Sequence, residues 1–219
     1  RVIVGYMPIY FPREIIHAAN GIPVGVMGAG DRKQIIQGDA YYQSYICHIP
    51  RSIMEMTLDG YMDHFDGFIF PSICDVIRNL SGTFRSKNIG KFVKYMDFPQ
   101  DFLPEVGGMF YQQEMQHVLK HIKGINGVEV TAEKLNHSIG LYNKNRQLIE
   151  SIYNIRQDYP WRLTIEDVYH IVRAGTVIPV EEHNDILEQV YNFIKEDIGE
   201  PQDKVKVIVS GSFCEQPAI

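Results

Sequence analysis

The sequence predicts an α/β protein built on a doubly wound parallel sheet of the Rossmann or flavodoxin-like kind, with a block of helices after it. Three observations carry this. Short apolar runs alternate with helical patterns through the first hundred residues. From about 105 to 200 the apolar residues recur at the helical spacing instead. An apolar run then returns at Val205 to Ser210, as the first strand of another α/β unit would. The expected organisation is therefore an α/β domain over 1–104, a helical block over 105–200 and the start of a second α/β domain over 201–219.

The elements follow in order. Val2 to Tyr6 is too apolar to face water on either side and reads as a buried strand. Pro12 opens a helix, with Glu14 placed near the positive end of its dipole. Asn20-Gly21 stops it. Pro23 to Met27 reads as a second strand. Pro50 to Leu58 reads as a helix halted by Asp59-Gly60. Asp66 to Phe70 is a third strand, Asp75 to Leu80 a helical segment and Phe92 to Asp97 a fourth strand. In the helical block, Met109 to Ile122 forms the first helix. Thr131 caps a long second one, whose apolar stripe (Leu135, Ile139, Tyr142, Ile149, Ile152) is interrupted by Asn145 and Arg146. Thr164 with Asp167 resembles a capping box and opens a helix to about Val177. Pro179 opens a last one to about Ile198, broken by Gly199-Glu200-Pro201.

Composition narrows the function. Of 219 residues, 45% are hydrophobic, as in an ordinary globular protein. Lys plus Arg number 21 and Asp plus Glu 27, for a net charge of −6, so no basic surface argues for nucleic acid or an anionic membrane. No apolar run reaches the roughly 18 residues of a membrane span, and no basic-then-apolar leader signals secretion. A cytoplasmic protein is expected. Arg1 opens directly into a strand, and the chain stops just after another, so the sequence reads as a fragment of a longer chain. No GxxxxGK[ST] is present, which argues against a P-loop. Gly25-x-x-Gly28-x-Gly30 is read as a plain turn, and His117 and His121 as surface histidines. His17, on the first helix, could face a crevice or pack.

Three cysteines cannot all pair, so a disulfide framework is disfavoured. Cys74 and Cys214 each lie just past a predicted strand, and Cys47 just before a helix. In an open parallel sheet, the carboxyl ends of the strands and the helix starts beside them form the ligand crevice. Thiols gathered there would gain thiolate character from the helix dipoles, and thiolates suit soft metals and iron–sulfur clusters. Simple burial of free thiols is the competing reading. A three-thiolate zinc site is another, although the closely spaced CxxC pairs of zinc sites are missing. Tyr41-Tyr42-Gln43-Ser44-Tyr45 leads into Cys47 and could wall an apolar substrate pocket or fill a core.

Several segments together resemble one superfamily, that of the 2-hydroxyacyl-CoA dehydratases and benzoyl-CoA reductases. They are Pro12-Arg13-Glu14-Ile15-Ile16-His17-Ala18-Ala19, Gln43-Ser44-Tyr45-Ile46-Cys47, Phe70-Pro71-Ser72-Ile73-Cys74-Asp75 and Gly211-Ser212-Phe213-Cys214-Glu215-Gln216-Pro217. Asp75 to Gly82 and Val180-Glu181-Glu182-His183 make the likeness strongest to the gamma (C) subunits of ATP-dependent benzoyl-CoA reductases. The resemblance implies the first part of a two-domain subunit in which Cys47, Cys74 and Cys214 hold one [4Fe-4S] cluster, with one iron open. It implies pairing with a homologous cluster-bearing subunit, an acyl-CoA substrate between the clusters, and separate ATP-hydrolysing subunits that donate low-potential electrons. The implied reaction is reduction of benzoyl-CoA, with dehydration of a 2-hydroxyacyl-CoA as the alternative. An electron carrier or a zinc-bound structural subunit is the alternative outside the superfamily. Tyr45 and His17 are candidate substrate-binding residues.

Overall fold

The computed structural model describes residues 1–8, 10–196, 199–205 and 207. The described chain divides into two units, one over Arg1–Val130 and another from Thr131 onward.

In the first unit, four five-residue strands, β1 (Val2–Tyr6), β2 (Gly21–Gly25), β3 (Gly67–Pro71) and β4 (Phe92–Met96), form one parallel sheet in the order β2-β1-β3-β4. Four helices cover it: α1 (Arg13–Ala18), α2 (His48–Leu58), α3 (Asp75–Ser86) and α4 (Met109–Asn126). The alternation of side chains along each strand feeds two separate cores. Val2, Val4, Tyr6, Ile69, Phe92 and Met96 point to one face and pack with Ile16 of α1 and with Val118 and Ile122 of α4. Phe68 and Phe70 point to the other and pack with Ile53 and Met54 of α2 and Ile77, Leu80 and Phe84 of α3. Helices on both faces of an all-parallel sheet make the doubly wound architecture that the sequence predicts.

The boundaries differ in instructive ways. β2 begins two residues earlier than expected, because Gly21 pairs with Val2 at the start of β1. Pro23 then falls inside β2, which is an edge strand, where a missing N–H costs no ladder bond. Asn20 takes φ 57°, so the chain reverses there in the left-handed conformation that Asn tolerates. α3 runs past Leu80 to Ser86, because Ile77, Leu80, Ser81 and Phe84 continue one buried stripe. α4 runs past Ile122 until Gly127, at φ 71°, caps it.

Gly67 marks the tightest sheet contact. It sits in register with Phe92 of β4, and an added Cβ would run into the Phe92 ring. Gly67→Ala is therefore expected to overpack the sheet and cost about 2 kcal/mol, measured as a lowered urea midpoint.

The second unit holds α5 (Ala132–Asp158), α6 (Ile165–Ala174) and α7 (Val180–Ile194). Both threonines cap as expected: Thr131 accepts from the Lys134 N–H, and Thr164 accepts from the Asp167 N–H while donating to its carboxylate. α6 stops at Ala174, short of Val177, and α7 is helical to Ile194. Ile152, Leu187 and Ile194 form the apolar centre. Asn145 is not an exposed interruption of the α5 stripe. It is buried, and its side-chain amide bonds to His183 and Asn184 of α7. The strand expected over 205–210 falls largely, and Cys214 wholly, outside the described residues.

Candidate functional site

Strand order dictates where a ligand crevice opens. α1 returns from β1 along one face of the sheet and α2 leads into β3 along the other, so the winding reverses between β1 and β3. At such a switch point the loops beyond the strands' carboxyl ends part and leave room for a ligand.

Two of the predicted cysteines are delivered to this edge. Cys74 follows β3 by three residues and is the N-cap residue of α3, its carbonyl accepting from the N–H groups of Ile77 and Arg78, both at 3.2 Å. Cys47 is the N-cap residue of α2. Both thiols are exposed, so neither simply fills the core. Neither helix start uses a side-chain oxygen as cap, which leaves first-turn N–H groups facing the sulfurs. The two sulfurs also act on one another. Burial pushes the Cys47 thiol pKa up, the Ile49 N–H pulls it down, a charge on Cys74 pushes it up, and the Arg51 guanidinium pulls it down. Soft, exposed, anion-favouring sulfurs at two helix starts are a donor set that fits iron–sulfur or zinc ligation. Among the described residues no three His, Cys, Asp or Glu side chains are grouped to hold a metal ion, and Cys214 lies outside them.

The long segment between β2 and α2 is laid along one side of α2. Gly28, at φ 80°, approaches Ser52 so closely that a side chain there would meet its Oγ. The Ala29 N–H donates to that Oγ at 2.9 Å. The buried Glu55 carboxylate accepts from the N–H groups of Ile36 (3.0 Å) and Gly38 (2.7 Å) through one oxygen. Arg51 binds Asp39, with Nε at 2.7 Å from Oδ1, and its Nη1 lies 3.4 Å from the Ser44 carbonyl. The glycine-rich stretch is thus a turn seated on α2. Arg51, Ser52 and Glu55 are the positioning residues that sequence reasoning missed. A carboxylate one turn beyond Arg51, on the same side of an otherwise apolar helix, was the available signal.

The other candidates are dispersed. Tyr42 is buried and its hydroxyl pKa is pushed up to about 12 by that burial, whereas Tyr45 is 81% exposed. His17 lies on the last turn of α1, next to the start of β2 and so at the amino edge of the sheet, while Cys47 and Cys74 are at the carboxyl edge. His117 is exposed beside Glu114, and His121 stacks on Phe92 at 5.1 Å between ring centres. Burial, followed by the neighbouring charges of Lys94, His117 and Lys120, holds the His121 pKa below its usual value. Among the described residues no helix is long and apolar enough to cross a membrane.

The sequence profile of the 2-hydroxyglutaryl-CoA dehydratase, D-component, family matches residues 8–219. The chain belongs to this family. Curated relatives resemble it along its length. The C (gamma-type) component of benzoyl-CoA reductase from Thauera aromatica is 47% identical over the whole chain, which covers 57% of that protein. Lactoyl-CoA dehydratase subunit beta of Anaerotignum propionicum is 28% identical over 97% of the chain and 56% of its own length. The subunit beta of (R)-2-hydroxyglutaryl-CoA dehydratase from Acidaminococcus fermentans is 29% identical over 99% of the chain and 57% of its own length. As a D-component family member, the chain thus spans a little over half the length of the curated relatives it matches.

Proposed function

We propose that this chain is part of the iron–sulfur subunit of a cytoplasmic benzoyl-CoA reductase, in which Cys47, Cys74 and Cys214 ligate one [4Fe-4S] cluster. The observation that carries the reading is the 47% identity, along the whole chain, to a benzoyl-CoA reductase subunit. The delivery of Cys47 and Cys74 to the same edge of the sheet supports it from the side of chemistry.

When bound, the cluster supplies electrons at low potential to the aromatic thioester, which takes up two electrons and two protons to give a cyclohexadiene-carboxyl-CoA. The chain's own residues do the rest. The helix starts of α2 and α3 present N–H groups and partial positive charge to the sulfurs, which favours the thiolate form needed for ligation. Arg51, Ser52 and Glu55 hold the segment that leads to Cys47, so that this sulfur stays in place as charge moves. Tyr45 stands free at the approach to Cys47 and is available to contact an apolar acyl group. His17 is retained as a substrate contact of the assembled enzyme. The working assembly in this reading pairs the chain with a homologous cluster-bearing subunit and with subunits that hydrolyse ATP and donate the electrons.

The test is metal analysis and assay of the anaerobically prepared complex. Iron and acid-labile sulfide in a cluster ratio, with ATP-dependent reduction of benzoyl-CoA, are expected. Loss of water from a 2-hydroxyacyl-CoA without benzoyl-CoA reduction would place the chain with the dehydratases. Zinc without iron and sulfide would overturn the cluster.

A further inference from the structure

We infer that Arg51 is a built-in electrostatic tuner of the cysteine site: a fixed cation, one helical turn from Cys47, that raises the tendency of the iron–sulfur group proposed there to accept an electron. The inference rests on the cluster reading and deepens it by naming a residue of this chain that sets the cluster's redox poise without ligating it.

The geometry supports a charge held in place. Arg51 lies four residues after Cys47 on α2. Its guanidinium meets Asp39 through two nitrogens, Nε at 2.7 Å and Nη2 at 2.6 Å, both on Oδ1. Its third nitrogen turns toward the carbonyl of Ser44, in the segment that runs into Cys47. Asp39 is delivered by a restrained loop. The neighbouring Gly38 packs against the Arg51 carbonyl where no side chain would fit, and its N–H is bound by the buried Glu55. The Arg51 side chain is only 18% exposed, against 43% for Asp39. Water therefore screens the anion more than the cation, and neutralisation of Arg51 is incomplete. The same cation is among the charges that favour a negative Cys47 sulfur. An added electron makes the ligated site more negative, and a nearby fixed cation stabilises that form over the oxidised one.

The test uses the whole complex, with iron and sulfide measured before any redox titration. The readout is the ratio of reduced to oxidised cluster, by electron paramagnetic resonance, at the wild-type midpoint. Arg51→Gln is expected to lower that ratio about fivefold, which is about 40 mV at 59 mV per tenfold. Arg51→Lys keeps the charge and is expected to change it less. Asp39→Asn still accepts from the Arg51 Nε through its amide oxygen but removes the negative charge, so the ratio is expected to rise. A merely structural role would move both sites in the same direction through lost iron. An unchanged ratio in Arg51→Gln at full iron content would overturn the inference, as would shifts of one sign for Arg51→Gln and Asp39→Asn. If Arg51→Gln fails to load iron, Asp39→Asn decides alone: a raised ratio supports the inference and an unchanged or lowered one overturns it. Wild-type complex without iron and sulfide would instead remove the cluster reading itself.

Discussion

Asn145→Leu is expected to destabilise the helical unit by about 3 kcal/mol, read as a lowered urea midpoint at unchanged slope. The size follows from the direction of one buried chain of hydrogen bonds. The Asn145 amide nitrogen donates to His183 Nδ1 and to Asn184 Oδ1, each at 2.8 Å. Asn184 donates in turn to the Leu141 carbonyl at 3.1 Å, and His183 Nε2 lies 2.9 Å from the Ile171 carbonyl. Both outer ends are carbonyls, which only accept. This fixes the proton of His183 on Nε2 and makes the Asn145 nitrogen the donor for both inner bonds. Leucine is similar in size but donates nothing, so two buried acceptors lose this partner at about 1–3 kcal/mol each, partly offset by the apolar gain. Asn145, His183 and Asn184 are all at most 2% exposed, so water cannot substitute. A double-mutant cycle checks the cause: Asn184→Leu should cost less in the Asn145→Leu background than alone. Additive costs would show that the two amides do not act together.

The same residues show where sequence reasoning stops. Asn145 breaks an apolar stripe, and a stripe-breaking polar residue ordinarily faces water. Here its partners arrive from α7, almost forty residues later, and no local pattern announces them. Gly175 is informative only in retrospect: a side chain there would strike the His183 ring, so the glycine makes room for the histidine. By contrast, β1, β3 and β4 were legible within a residue, because strands buried on both faces read as continuous apolar runs. The Thr131 and Thr164 caps were legible because capping is a local event. β2 was misplaced by two residues because its start is set by pairing with Val2, a contact outside its own sequence.

At the cysteine site the division is similar. That Cys47 and Cys74 stand at helix starts could be read from the segments around them. That they share one edge of the sheet and influence each other depends on strand order, with β3 inserted beside β1. The loop clamp through Arg51, Ser52 and Glu55 was invisible for the same reason as the Asn145 network. Its acceptors and donors are backbone groups brought back by a long, irregular excursion.

Cys74→Ser is expected to abolish most cluster content while leaving the fold intact, and this combination separates a ligand from a packing thiol. The hydroxyl of serine is a harder donor and stays protonated where a thiol at a helix start ionises, so it binds soft iron poorly. Substitutions in the outer shell of metal sites already cost about 10–100-fold in affinity, so loss of a proposed ligand is expected to cost at least about tenfold. Iron and sulfide per complex should fall accordingly, with benzoyl-CoA reduction. Stability should not follow. Cys74 is exposed, and its part in α3 is played by its backbone, whose carbonyl accepts from Ile77 and Arg78 whatever the side chain. Serine is moreover a good N-cap residue. The urea midpoint of the protein freed of metal should therefore stay within about 0.5 kcal/mol of wild type. Full iron and sulfide in Cys74→Ser would remove this residue from the ligand set. A large loss of stability in the metal-free protein would make it a structural thiol instead.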